Sequence, residues 1–319
     1  MDAVTSPKVS VIVPSHAGAD RLPRLLEALA RQVDAPPFEV CVVVDGDVDD
    51  SVALLECWRL AQPELALRYR VFPTNQGRVA ALNTAAAMAR GHILLRTDDD
   101  LEPSRDYIRL HSEAHDGPDP VGVVGLCRNR YPDTSYARSY GIAADQRFRD
   151  QAYGAEATMR WRYWAANASI PRDLFWQVGG YDPDYRQYGW EDVDLGYRLH
   201  MRSVPVVLHP ALETTHHVAA VNTRTRTLRA LHAGAARQIF ITKHGSHVLP
   251  PIHLTGLWGL SLRCIAALCG IRAFTVAASV VDRILPVVPS SIGEKAVAIL
   301  VESAGLAGSL HPERARDTF

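Results

Sequence analysis

Three consecutive carboxylates, Asp98, Asp99 and Asp100, follow the apolar run Gly91-His-Ile-Leu-Leu-Arg-Thr97. Like charges repel, so a fold gains nothing by gathering them where a buried strand surfaces. A hard divalent cation changes that balance. Mg²⁺ or Mn²⁺ takes oxygen ligands and is commonly held by one or two carboxylates together with substrate phosphates. In an open α/β sheet, ligands bind beyond the carboxyl ends of the strands. The run therefore points to a metal–diphosphate site. The alternative is an acidic turn capping a helix that starts near Pro103, because Asp is a good N-cap and favours the positive end of a helix.

Other residues agree with a nucleotide-diphosphate reading. The second apolar run ends Val44-Asp45-Gly46-Asp47, and a carboxylate there can accept hydrogen bonds from a base or ribose, or simply serve a turn. Asn75-Gln76-Gly77-Arg78 opens a helix; glycine lets the backbone approach a ligand, the helix start favours anions, and Arg78 would add a charge-assisted contact unless it is merely solvated. A second acidic pair, Glu191-Asp192, lies within Tyr188-Gly-Trp-Glu-Asp-Val-Asp194. A positioned carboxylate can take the proton of an attacking hydroxyl, and the same pair can also cap or flank the helix that follows. Trp190, with Trp161 and Trp164, could stack on a sugar or fill the core.

These groups need a frame. Residues 9–14, 38–44, 67–72, 91–97 and 121–127 read as short buried strands, and 20–31, 50–61, 79–90 and 104–115 as helices, with Asp20 a plausible cap for the first. Strands alternating with helices imply βαβ units and a mostly parallel twisted sheet. Residues 129–162 lack a firm period and read as a long binding lid. Order returns at 161–170, in a helix over 190–202 and in a strand over 204–209. Four helices, 224–244, 254–270, 272–285 and 292–306, form a C-terminal appendage. The expected division is a catalytic domain over 1–222, with a nucleotide half (1–128) and an acceptor half (129–222), followed by a helical region over 223–319.

Composition narrows the class. In 319 residues, 47% apolar and 22% charged content describes a soluble protein with an ample core, and a net charge of −1 argues against nucleic acid as the main partner. Five scattered cysteines without metal spacing suggest reduced core thiols in the cytosol. The polar start lacks the features of a signal peptide, and no run reaches about 18 uninterrupted apolar residues. The expected location is cytoplasmic. Trp258 and Leu257 near Arg263 and Arg272 leave room for a peripheral contact on the cytosolic face of a membrane, or for a homodimer through the helical tail.

Val11-Ile-Val-Pro14, the aspartate run, Ala165-Ala-Asn-Ala-Ser-Ile170, Val178-Gly-Gly-Tyr-Asp182 and the Gly189-Trp-Glu-Asp-Val-Asp194 segment, in that order and spacing, resemble an inverting glycosyltransferase of family 2 with the GT-A fold. The resemblance covers roughly residues 8–245. It implies that Pro14, Ser15 and Asp45 surround the nucleotide base, with Arg78 near the base or diphosphate and Asn75 in the same loop. Asp98 and Asp100 match the outer positions of the Asp-x-Asp motif that binds nucleotide and metal, and Asp99 would face the sugar or nucleotide. Asn167 falls in the segment bordering the donor sugar. Glu191-Asp192 matches the acidic pair that supplies the base, with Asp192 preferred. His216-His217 follow the last strand, where this fold often supplies a histidine to the metal or diphosphate; His216 is preferred. Trp190 would meet the acceptor.

The implied reaction moves one sugar from a nucleotide-diphosphate sugar, UDP-sugar by default, to a hydroxyl of a glycan, a lipid-linked precursor or a small natural product, with Mn²⁺ or Mg²⁺ as cofactor. One departure stands out: the family often has Asp-Asp-Gly-Ser after the second strand, where this chain has Asp45-Gly46-Asp47-Val48. A sugar-phosphate nucleotidyltransferase is the alternative enzyme, but the segment after the first strand, Pro14-Ser-His-Ala-Gly-Ala19, has no basic residue before Arg21. A non-catalytic nucleotide-sugar-binding scaffold would be expected to have lost the acidic pair or the metal aspartates, and both are intact.

Overall fold

Residues 6–186, 188–217, 220–249 and 254–318 are described in a computed structural model. The β-branched runs and the helical stretches between them become β1 (Val9–Ser15), α1 (Leu22–Ala30), β2 (Phe38–Asp45), α2 (Ser51–Ala61), β3 (Leu67–Phe72), α3 (Arg78–Met88) and β4 (Ile93–Thr97). These strands pair in parallel, in the order β3-β2-β1-β4. β1 is buried along its whole length and β2 from Glu39 onward, which is why both read as unbroken apolar runs rather than as alternations. α1 closes one face with Leu22, Leu25, Leu26 and Leu29 against Val11, Val40 and Leu95.

The chain continues through β5 (Leu101–Glu102), α4 (Tyr107–Glu113), β6 (Gly122–Val124), β7 (Cys127–Asn129), α5 (Ile142–Tyr153), β8 (Asn167–Pro171), α6 (Arg172–Gln177), α7 (Glu191–His200), β9 (Val206–Leu208) and β10 (Thr214–His216). The main sheet has seven strands in the order β3-β2-β1-β4-β8-β6-β9, and β8 runs antiparallel to both of its neighbours. A small sheet, β5-β10-β7, stands beyond the end of β4. It sets His216 opposite Leu101, one residue after the aspartate run.

The structure divides into two compact units. One comprises Met1–Arg128, Arg149–Arg186 and Glu191–His217; the other comprises Asn129–Phe148, Gln187–Trp190 and Val218–Phe319. The second unit is built on α8 (Thr223–His244), α9 (Gly256–Leu268), α10 (Ile271–Ile284) and α11 (Ser290–Leu310). α8 and α11 approach closely because glycines line the contact: a Cβ on Gly308 would lie 1.9 Å from Leu231 O, and one on Gly234 would lie 2.1 Å from Gly305 O. Leu231, Phe274, Ala278 and Ala304 fill the core of this unit.

Several expectations are corrected. The stretch 129–162 is not an unstructured lid. It holds a π-helical turn (Ala137–Gly141), α5 and a 3₁₀ segment (Ala157–Tyr163). Its period is hidden because α5 buries only Ala152 and so carries no apolar stripe, while Tyr136 and Tyr140 just before it pack with Leu285, Val297 and Val301. The strand expected over 121–127 is two strands in different sheets. The chain crosses between them at Gly125, where a Cβ would meet Leu212 O at 2.1 Å. Asp20 does not cap α1: it is exposed, and the first amides of that helix, Arg21 and Leu22, donate to Gly18 O. Of the cysteines only Cys41 is fully buried, and Cys57 and Cys264 are exposed. Among the described residues no helix is long and apolar enough to cross a membrane.

Candidate active site

Side chains alternate across a strand. In β4 this sends Leu95 and Thr97 to the α1 face and Leu94, Arg96 and then Asp98 to the other. Thr97 hydroxyl donates to Tyr107 Oη (2.9 Å), and Tyr107 donates in turn to Asn167 Oδ1 (2.9 Å). Asn167 also accepts from His111 Nε2 (3.0 Å) and donates to Leu212 O (2.7 Å) and Thr214 Oγ1 (3.0 Å). Burial pushes the His111 pKa down to about 3, so it serves this network as a neutral ring. Asn167 has no exposed surface and every polar atom engaged. It braces β8 against the segment leading into β10.

Asp99 also points inward. Arg21 grips it with a two-pronged contact, Nε to Oδ1 and Nη2 to Oδ2, both at 2.9 Å, and Ser15 Oγ donates to Oδ2 at 2.6 Å. The chain can fold this tightly only because residue 18 is glycine; a Cβ there would lie 2.0 Å from Ser15 Oγ and 2.7 Å from Asp99 Oδ2. Ser15 and Asp99 thus tie the end of β1 to the end of β4, and Pro14 is buried within β1 opposite Val43. Asp45 is likewise occupied: its oxygens accept from the amides of Gln76 (2.6 Å) and Gly77 (2.9 Å). It shapes the loop that carries exposed Asn75 and opens α3. Beside that loop lies a cleft of about 290 Å³ lined by Gln76, Gly77, Val79, Ala80, Pro183, Tyr185 and Arg186.

Asp100 and Asp98 differ from Asp99 in remaining partly accessible. Asp100 Oδ2 lies 2.9 Å from His216 Nε2, and the backbone amide of His217 donates to Asp100 O (3.0 Å). The β5–β10 pairing therefore brings His216 to the aspartate run. Among the described residues no cluster of three or more His, Cys, Asp or Glu could hold a metal by itself. A carboxylate oxygen with phosphate oxygens completing the shell suits Mn²⁺ or Mg²⁺, and an imidazole nitrogen in the set favours Mn²⁺ over the harder Mg²⁺. Both oxygens of Asp98 are turned to Arg96, at 2.9 and 3.3 Å, so Asp98 contributes charge beside that pair. Burial would raise its pKa, but Arg96 and Arg78, with His216 nearby, hold it below the usual carboxylate range.

The acidic pair opens α7. Asp192 accepts a short hydrogen bond from Arg96 Nη1, and Glu191 Oε1 accepts from Arg78 Nη1 at 3.3 Å. Arg78 therefore meets the acidic pair. Glu191 is buried, and its Oε2 has no hydrogen-bond partner among the described residues. Burial pushes the Asp192 pKa up to about 7 against the pull of Arg96, with Glu191 and Asp98 adding like-charge repulsion. A carboxylate that gains and loses its proton near neutrality suits general base work. Trp190 belongs to the helical unit, where its ring centroid lies 5.2 Å from that of Phe240; its φ of +72° is unusual for a bulky residue. Trp161 and Trp164 are core.

Two arginines, Arg21 and Arg96, organise the aspartates and do not stand out in the sequence. Arg96 carries the better signal: a lone charge inside the otherwise apolar Ile93–Thr97 strand needs a buried anion.

Residues 10–179 match the glycosyl transferase family 2 domain, which is more than half of the chain. Validoxylamine A glucosyltransferase of Streptomyces hygroscopicus subsp. limoneus is 31% identical over 229 residues, covering 63% of this chain and 50% of that protein; the chain thus spans half the length of this relative. The mannosyltransferase PcManGT of Pyrobaculum calidifontis, solved with GDP-Man and Mn²⁺, superposes with a TM-score of 0.65 at 23% identity, covering 97% of this chain and 89% of that one. S. aureus TarS 1-349 in complex with UDP superposes with a TM-score of 0.52 at 16% identity, covering 96% and 91%. These neighbours share the GT-A fold expected from the sequence. By its sequence match, and with this fold around its aspartates, the chain belongs to glycosyl transferase family 2.

Proposed function

We propose that this protein transfers one sugar from a nucleotide-diphosphate sugar to an acceptor hydroxyl with inversion at the anomeric carbon, assisted by Mn²⁺ or Mg²⁺. The observation that carries the reading is the pair of acidic centres around Arg96: Asp98, next to Asp100 and His216, on one side, and the proton-accepting Asp192 on the other. Asp100 and His216 would hold the cation with the donor diphosphate. When bound, the cation supplies Lewis-acid stabilisation of the negative charge that develops on the leaving diphosphate. Asp192 takes the acceptor proton as the new carbon–oxygen bond forms and the bond to the diphosphate breaks, its electron pair leaving with the phosphate. Arg78 holds Glu191 in place beside it. Residues 1–128 serve the donor. Asp45 acts through the loop whose amides it binds, and Ser15, Asp99 and Asn167 act by bracing that half. Trp190, at the start of the acidic segment, is proposed to meet the acceptor.

UDP-sugar is the donor we favour, as the family's most frequent one. The 31% identity to a glucosyltransferase acting on validoxylamine A supports a small hydroxylated acceptor, and glycan or lipid-linked acceptors belong to the same test. Exposed Leu257, Leu260 and Leu268 of α9 and Val276 and Val280 of α10 support a peripheral contact with a membrane or with a second copy. Flotation with anionic vesicles and sedimentation equilibrium separate these two. The reaction itself is tested by incubating UDP-, GDP- and dTDP-sugars with Mn²⁺ and an acceptor panel that includes validoxylamine A. Glycosylated product of inverted anomeric configuration is expected, and a retained configuration overturns the reading.

A further inference from the structure

Arg96 takes the fourth of five positions in β4, between Ile12 of β1 and Ala168 of β8, and is 2% exposed. A guanidinium cannot shed its charge, so it is stable there only with anionic partners. It has two, 94 residues apart in sequence (192 − 98). Nε and Nη2 donate to the two oxygens of Asp98, while Nη1 donates to Asp192 Oδ1 and reaches Tyr181 Oη at 3.3 Å. The Tyr181 ring centroid lies 5.4 Å from Arg96 Cζ. Tyr181 is itself fixed by Asn83, whose Nδ2 donates to Tyr181 O (2.7 Å) and whose Oδ1 accepts from Tyr181 N (2.9 Å). With a ring against its face and a carboxylate on each of two edges, the planar fork has one orientation open to it.

We propose that Arg96 is a positioning residue that sets the base Asp192 at a fixed separation and rotamer relative to the donor-side carboxylate Asp98. The inference rests on the function proposed above, and it adds a link between the donor and acceptor halves of the site. Asp98 follows β4, which is paired on both sides by β1 and β8, whereas Asp192 lies in the first turn of α7, which begins right after the positive-φ pair Gly189 and Trp190. A single side chain thus joins the end of a strand to the start of a helix. Lysine does not replace this function, because a compact ammonium lacks the flat fork that faces two carboxylates in different directions.

The test is Arg96→Lys, alone and combined with Asp192→Asn, in three measurements. In crystals of Arg96→Lys the Asp192 carboxylate is expected to leave its wild-type position while Asp98 and the β4 backbone stay. In kinetics, kcat is expected to fall about 10–100-fold, as for a catalytic group displaced by roughly 1 Å, while the calorimetric Kd for the nucleotide sugar changes less than about threefold. In the Asp192→Asn background the lysine substitution is expected to cost no further activity, because Arg96 acts through that carboxylate. If Arg96→Lys fails to fold, Tyr181→Phe, which removes one guanidinium partner and keeps the charge, carries the same readouts. The proposal is overturned if both carboxylates keep their wild-type places, or if the substitution costs the same factor in both backgrounds. If the wild type binds no nucleotide sugar, the functional reading fails instead, and the crystal comparison alone judges the positioning claim.

Discussion

The chemistry at the residue scale turns on Asp192. Its proton affinity is raised by burial and by neighbouring carboxylates, so the base is unprotonated only above about pH 7. The rate should therefore rise with pH through about 7 and level off above it, falling about tenfold per unit on the acid side. Asp192→Asn is expected to lower kcat by about 10²–10⁴-fold and to abolish this limb. A pH–rate profile of both proteins checks the assignment; an acid limb unchanged in the variant contradicts it. The aspartate run was legible in the sequence as three like charges at a strand end, and its pairing with Arg21 and Arg96 was not. Nor were the roles of Ser15, Asp99 and Asn167. Short polar side chains near a motif look the same in sequence whichever partner they take, and the bonds to Arg21, Tyr107 and His111 join residues far apart in the chain.

Strands and helices of the first unit hold the site by buried polar ties. Asn167 is the centre of one. Asn167→Ala would strip partners from Tyr107, His111, Leu212 O and Thr214 in one step, at a cost of about 2–5 kcal/mol. Thermal unfolding should show a clear drop in Tm, and an unchanged Tm would mean that water replaces these bonds. Gly18→Ala is expected to act more locally: its Cβ would displace Ser15 Oγ and loosen Asp99, weakening donor binding more than stability. Calorimetry with nucleotide sugar against a melting curve separates the two effects. The parallel strands were readable because β-branched runs alternate with amphipathic helices. The two-residue β5 and the three-residue β10, which bring His216 to Asp100, have no pattern long enough to read; only the resemblance pointed there.

As a whole molecule, the chain combines a unit that holds most of the matched residues 10–179 with a helical unit built largely, though not wholly, from residues after them. Its four long helices were evident from their apolar spacing. The recruitment of Asn129–Phe148 into that unit was not, because its contacts with α10 and α11 join residues far apart in sequence. The glycine contacts make the unit sensitive at one point. Gly308→Val would push α11 from the backbone of Leu231, 1.9 Å from the added Cβ, and should lower the melting temperature of the helical unit. Calorimetric scanning reads this directly, and an unshifted transition would show that α8 and α11 separate without cost.

The proposed reaction requires the aspartate–histidine end of β4 to bind a nucleotide sugar through a divalent cation. The most direct measurement is isothermal titration of UDP-, GDP- and dTDP-sugars into the wild type and Asp100→Ala, each with Mn²⁺ and with chelator. One nucleotide class should bind the wild type in Mn²⁺, weaken strongly with chelator, and weaken equally in Asp100→Ala regardless of metal. Binding that is indifferent to both metal and Asp100, or no binding of any nucleotide sugar to the wild type, would contradict it.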